Sequence, residues 1–244
     1  MIIEESNTKK LNAEKLKTDI INIEKLNNEI KQYIGFFIEN KINLIDYAQK
    51  NSITILTRKN TIDKGWKGNT IEHILNIKKN NSCMPDLSWA EVKTVPVTNK
   101  KNLQMAKETI CLSVINTKEL ITKTFEESSF FKKIKSLILI NINVENQNHP
   151  YISKITFFDL EKNKEIYEQI KKDYETLANH ILDNIENNFN DNQNFSAKFG
   201  EIIQPRPKTG KKGNYTWAFY LKKPLLNKII NDQPDLSLTN QKKK

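Results

Sequence analysis

The stretch Pro85-Asp86-Leu87-Ser88-Trp89-Ala90-Glu91-Val92-Lys93, running on into Thr94-Val95-Pro96-Val97, decides how this chain is read. Val92, Val95 and Val97 are β-branched, and in Glu91-Val92-Lys93 the charged residues flank an apolar one, so the second half reads as a strand. Strand side chains alternate faces, which sends Glu91 and Lys93 to the same side. Asp86 enters from the preceding turn. Two carboxylates and an ammonium so placed make half of a hydrolytic metal site. Hard Mg²⁺ takes carboxylate oxygens, and the lysine can orient or polarise an attacking water. Taken alone, the run also reads as a surface strand edge blunted by an ion pair.

Upstream lies Asp63-Lys64-Gly65-Trp66-Lys67-Gly68-Asn69-Thr70-Ile71-Glu72-His73-Ile74-Leu75. Its two glycines suit a tight, flexible loop, and Asn69 or Thr70 can cap a following helix. Ile71, Ile74 and Leu75 recur at helical spacing and give that helix one apolar face. Glu72 is expected in its first turn, where a carboxylate complements the dipole. Considered by itself, Glu72 is a dipole-favoured surface residue. Brought against the strand acids, it is the third of three converging carboxylates.

The segment DKGWKGN..E, with PD followed by E.K and TVPV, resembles the MutH family of DNA mismatch-repair and GATC-cutting type II restriction endonucleases, within the PD-(D/E)xK nuclease group. Two later segments carry the same resemblance in the same order. Gly200-Glu201-Ile202-Ile203-Gln204-Pro205-Arg206-Pro207-Lys208 is similar to the family's GE..Q.RPK, and Ala218-Phe219-Tyr220-Leu221-Lys222-Lys223 to its FYLKK. Phe125-Glu126-Glu127-Ser128-Ser129 with Lys133 fits a weaker family stretch ahead of a strand. The likeness is clear over 60–97 and 195–230 and looser over 15–60 and 108–185.

The resemblance implies a restriction-endonuclease-like α/β fold, a mixed central sheet flanked by helices. It implies catalytic roles for Glu72, Asp86, Glu91, Lys93 and Lys133, with one or two Mg²⁺ ions on Glu72, Asp86 and Glu91. Lys133 otherwise reads as one member of the solvated basic cluster Lys132-Lys133-Ile134-Lys135. Arg206, Lys208 and Tyr220 fall where the family reads GATC in double-stranded DNA, and Gly65 falls in the loop beside the DNA. Arg and Lys can donate to guanine O6 and N7 in the major groove, and a tyrosine ring can pack on adenine and sense a methyl group. Two departures stand out: the turn from Asp86 to Glu91 is two residues shorter than in the family, and Pro205 replaces an aliphatic residue beside Arg206. The expected activity is nicking of the unmethylated strand in methyl-directed mismatch repair, activated by a MutL-type partner. A double-strand restriction enzyme is the second reading. A catalytically dead DNA-binding module is the third, disfavoured because three carboxylates near phosphates repel them without metal.

Lys plus Arg exceed Asp plus Glu by 39 to 29, for a net charge of +10 over 244 residues. That balance favours a polyanionic partner, although a Lys-, Asn- and Ile-rich, Gly-poor composition also suits an AT-biased genome. One endonuclease domain over 1–230 is expected, monomeric in isolation, followed by a frayed basic tail at 231–244. No apolar run reaches spanning length and the start lacks a secretory pattern, so a cytoplasmic protein without membrane contact is expected. Cys83 and Cys111 have no metal-ligand spacing, and His73, His149 and His180 are scattered; all five read as structural or surface residues.

Leu16, Ile20, Ile23, Leu26 and Ile30 predict a helix over 12–34, Asn43–Ala48 a short one, and Ile166 to Ile185 a long one with a solvent-facing charged side. Residues 136–144 and 152–159 predict strands, and 187–194 a loop. Thr209-Gly210-Lys211-Lys212-Gly213-Asn214 is a basic glycine loop: Lys211 and Lys212 can touch phosphate, or the segment is a plain hairpin loop.

Overall fold

The computed structural model describes residues 28, 30, 32–78, 84–87, 89–186, 199–209 and 215–232. After a helical stretch at 32–39 come α1 (Leu44–Lys50), α2 (Trp66–Ile74), β1 (Glu91–Lys100), β2 (Leu103–Ala106) and β3 (Ile110–Val114). Then come α3 (Thr117–Thr122), α4 (Ser129–Ile134), β4 (Ser136–Asn143), β5 (Tyr151–Asp159), α5 (Lys164–Glu186), β6 (Ile203–Thr209), β7 (Tyr215–Leu221) and α6 (Lys223–Asp232). The expected mixed α/β class with flanking helices is what the chain adopts.

The strands form the expected mixed central sheet and a second, smaller sheet beside it. A four-stranded sheet runs β2-β1-β4-β5, and a three-stranded one runs β3-β7-β6. In the first, β1 and β4 are parallel, with Glu91 opposite Leu137 and Lys93 opposite Leu139, while the outer pairs are antiparallel. Strand β4 is buried along nearly its whole length, as a central strand covered on both faces should be. Leu137 and Leu139 join Val95 and Val97 in one core with α4, α5 and the second sheet. Ile138, Ile140 and Ile142 join Val92, Trp66, Ile71 and Ile74 in the other. Alternation along β1 therefore sends Glu91 and Lys93 toward the first core and Val92 toward the second.

Two local expectations are corrected. Helix α2 begins at Trp66 with Gly65 at its N-cap and no side-chain cap, so Gly68 lies within the helix and Glu72 sits near its C-terminal end, outside the first turn. Thr70 is fully buried and its hydroxyl donates to the Trp66 carbonyl at 2.8 Å instead of capping; Trp66 buried against the core is what draws the helix start forward. Helix α6 runs to Asp232, and Asn231 is tied to β2. The Gln104 amide donates to Asn231 Oδ1 at 3.1 Å and Asn231 Nδ2 donates back to the Gln104 carbonyl at 2.9 Å. Lys211, Lys212 and the rest of the 210–214 loop, Cys83, the 187–194 loop and most of the 12–34 helix lie outside the described residues.

Candidate active site

Glu91 opens β1 and is 1% exposed. A buried carboxylate needs compensation, and both its oxygens receive it. Lys93 Nζ lies 2.6 Å and Lys133 Nζ 3.4 Å from Oε1, while the Asp86 backbone N–H donates to Oε2 at 3.1 Å. The expected Glu91–Lys93 pairing is the direct result of strand alternation. The turn before it is short: the Leu87 amide donates to the Ala90 carbonyl at 3.0 Å, and Asp86 Oδ2 accepts from the Val92 amide at 3.1 Å. The abbreviated hairpin thus keeps Asp86 fastened to β1.

Lys133 reaches the pair from α4. Ser128 caps that helix by accepting from the Phe131 amide at 3.0 Å, and Phe130, Phe131 and Ile134 are buried in the core. The ordering of Phe125 to Ser129 fixes the helix, and its opposite side projects the lysine. Glu119 steadies the same helix start, its Oε2 accepting from the Ser129 amide at 3.0 Å and its Oε1 pairing with Lys123 at 2.6 Å. These partners hold the Glu119 carboxyl down at about 2, the Lys123 hydrogen bond contributing most.

Burial pushes the Asp86 carboxyl above the usual carboxylate range, and the Glu91 charge pushes the same way; Lys93, the Val92 amide and Lys133 pull it back. Asp86 is therefore an under-compensated carboxylate beside a second one, an arrangement that a hard cation would relieve. Glu72 is carried by α2, which packs on the Val92 side of β1. Among the described residues no three His, Cys, Asp or Glu side chains are arranged as a metal-binding group. The structure brings together Asp86, Glu91, Lys93 and Lys133.

Arg206, Lys208 and Tyr220 gather elsewhere, on the three-stranded sheet. Gln204 pairs with Tyr220, Arg206 with Ala218 and Lys208 with Thr216. Directly opposed residues share a face, so Gln204, Arg206, Lys208 and Tyr220 all stand on one side. Phe219, Leu221 and Ile203 point from the other side into the core. Pro205 opposes Phe219 and is buried, so it keeps the aliphatic role on the face away from Arg206. As an edge strand, β6 tolerates its two prolines. The Arg206 guanidinium lies 5.8 Å from the Tyr220 ring centroid, and its Nη1 donates to Thr109 Oγ1 at 2.8 Å. Burial raises the Tyr220 hydroxyl's pKa, and Cys111 alongside it adds to the rise.

Gly65 sits at the start of α2 with its amide donating to Asp63 Oδ1 at 2.9 Å. Two residues carry no signal in the sequence. Asp173, on α5 and 5% exposed, accepts from the Glu201, Ile202 and Ile203 amides at 2.9, 2.8 and 3.0 Å, anchoring the chain where it enters β6. Thr109 meets Arg206 from 97 positions away. No local pattern marks either residue, since each partner is distant in sequence.

The family model of the DNA mismatch repair enzyme MutH matches residues 75–173. This stretch is MutH-like. It contains Asp86, Glu91, Lys93 and Lys133, while Glu72, Arg206, Lys208 and Tyr220 lie outside it. A solved complex of the restriction endonuclease MvaI with its cognate DNA substrate is similar over 86% of this chain and 98% of its own, at 12% identity and a TM-score of 0.40. No curated protein matches the chain. Among the described residues no helix is long and apolar enough to cross a membrane.

Proposed function

We propose that this protein is a Mg²⁺-dependent DNA endonuclease that acts at GATC and nicks the unmethylated strand in methyl-directed mismatch repair. The observation that carries the nuclease reading is the convergence of Lys93 and Lys133 on the buried Glu91, with Asp86 fastened to the same strand, inside the region that matches the MutH family. Asp86 and Glu91 would hold the metal, with Glu72 the third carboxylate that the family resemblance assigns. The metal, when bound, supplies Lewis-acid charge stabilisation and acidifies water.

The remaining work falls to side chains of this chain. Glu91 holds the Lys93 and Lys133 ammoniums side by side, so both can donate to phosphate oxygens as negative charge builds in the transition state. Lys93 can also orient the attacking water in line with the scissile bond, leaving a 5′-phosphate and a 3′-hydroxyl. Arg206, Lys208 and Tyr220, sharing one exposed sheet face, would read the bases, and the net charge of +10 favours the duplex. Tyr220 would sense methylation of the adenine.

The test is strand-specific cleavage of unmethylated, hemimethylated and fully methylated GATC duplexes in Mg²⁺, with and without a MutL-type protein. Nicking of only the unmethylated strand, strengthened by the partner, is expected. Rapid partner-independent cutting of both strands would overturn the repair assignment in favour of restriction, and absence of Mg²⁺-dependent cleavage under every condition would overturn the nuclease reading.

A further inference from the structure

Arginine reads a guanine best when its guanidinium plane is fixed before the base arrives, because a bidentate contact needs two parallel donors at a set angle. A long exposed side chain on a strand loses rotamer freedom when it docks, and that loss subtracts from discrimination. Arg206 is exposed on β6, yet two groups from different strands hold it. The Tyr220 ring on β7 lies 5.8 Å from the guanidinium, within cation–π range. The hydroxyl of Thr109, half-buried just before β3, accepts from Nη1 at 2.8 Å. Guanidinium has five donors and no acceptor, so one bond to Thr109 together with the Tyr220 ring restrains the plane while leaving donors for a base.

The placement of Thr109 is firm. Ile110, the next residue, is buried and opposes Leu221, and Cys111 opposes Tyr220. Thr109 thus stands at the entry to the outer strand opposite β6 in the β3-β7-β6 sheet, and the Arg206 side chain reaches across the central strand to its hydroxyl. A methyl-bearing β-branched side chain also has few χ1 choices, so the acceptor stays where it is put.

We propose that Thr109 is a specificity-determining positioning residue, whose hydroxyl, together with the Tyr220 ring, pre-orients the Arg206 guanidinium to read a base edge. This rests on the reading of Arg206 as a base-contacting residue.

The test is a binding selection from a duplex library varied at every position of GATC, sequenced before and after, with the parent, Thr109→Val, Thr109→Ser, Arg206→Ala and the double variant Thr109→Val/Arg206→Ala. Valine keeps the shape and removes the acceptor. Thr109→Val should lose about fivefold to tenfold of the preference at the one base pair where Arg206→Ala loses it, with Thr109→Ser within about twofold of the parent. The double variant should be no flatter than Arg206→Ala. Should Thr109→Val lower the melting temperature, Thr109→Ala removes the same hydroxyl without the packing demand. Full preference in Thr109→Val and Thr109→Ala where Arg206→Ala loses it overturns the proposal, as does an equal loss at every position. If Arg206→Ala keeps full preference, the reading of Arg206 is wrong and the proposal goes with it.

Discussion

Replacing Glu91 by glutamine keeps the shape of the side chain and removes its charge, and the groups packed around it set the cost. Oε1 faces the Lys93 and Lys133 ammoniums at 2.6 and 3.4 Å, and Oε2 faces the Asp86 amide at 3.1 Å. The new NH₂ must occupy one of these positions, and either choice points a donor at a donor. Breaking a fully buried ion pair costs about 3–5 kcal/mol. Here the lysine side chains are 22% and 15% exposed, so water takes up part of the loss and about 2 kcal/mol is the reasonable figure. For a protein of this size that lowers the melting temperature by about 4–8 °C. If Glu91 also acts in the reaction, losing about 4 kcal/mol of transition-state stabilisation slows cleavage on the order of a thousandfold. Single-turnover cleavage of a GATC duplex in Mg²⁺, run well below the melting transition, separates the two effects, and duplex affinity should stay within a few-fold. Cleavage within about tenfold of the parent would refute the catalytic placement of Glu91. An unchanged melting temperature would refute the claim that its carboxylate holds the two lysines.

Two further outcomes test the supports of each site. Gly200 has φ +75°, and a Cβ there would stand 2.1 Å from the Ile203 carbonyl oxygen and 3.0 Å from the Asp173 carboxylate. Gly200→Ala should therefore cost about 2–4 kcal/mol in urea unfolding and loosen the entry to β6; an unchanged midpoint would show that the turn is not under this constraint. Glu119, held at about 2 against an ordinary 4.5, is a depressed carboxylate. Its stabilisation is present above about pH 5 and is lost as pH falls through about 2. Glu119→Gln should flatten the stability–pH curve across that window, and parallel curves for variant and parent would show that the Ser129 and Lys123 contacts contribute nothing.

The strand that carries Glu91 and Lys93 was legible because its information is local. Period-two alternation over Glu91-Val92-Lys93 dictates a shared face, and the runs over 136–144 and 152–159 gave β4 and β5 nearly to the residue. The start of α2 was less legible: Asn69 and Thr70 look like caps in isolation, but burying Trp66 extends the helix a turn earlier. Tertiary packing overrode a capping preference worth about 1 kcal/mol. Splitting of the strands into two sheets depends on which edges meet in space, which no local pattern encodes. The same holds for Asp173, a helix residue that reads as solvent-facing until its amide partners at 201–203 are in place.

The division into two sheets lets the proposed chemistry and the proposed reading be perturbed separately. Glu91, Lys93 and Lys133 are fixed by β1 and α4, whereas Arg206, Lys208 and Tyr220 are fixed by β6 and β7. Yet the supports interlock. Val95 and Val97 of β1, Phe130 and Phe131 of α4, and Phe219 and Leu221 of β7 lie in one buried cluster, with the Phe130 and Phe219 rings 4.3 Å apart. Close-packed cores transmit displacement instead of absorbing it. On the proposed function, a base read by Arg206 that shifted β7 would thereby have a packed route to α4 and the Lys133 ammonium, one side chain from the buried carboxylate. Coupling of correct reading to cleavage would then need no hinge, only a shared core whose two sides carry the two proposed jobs.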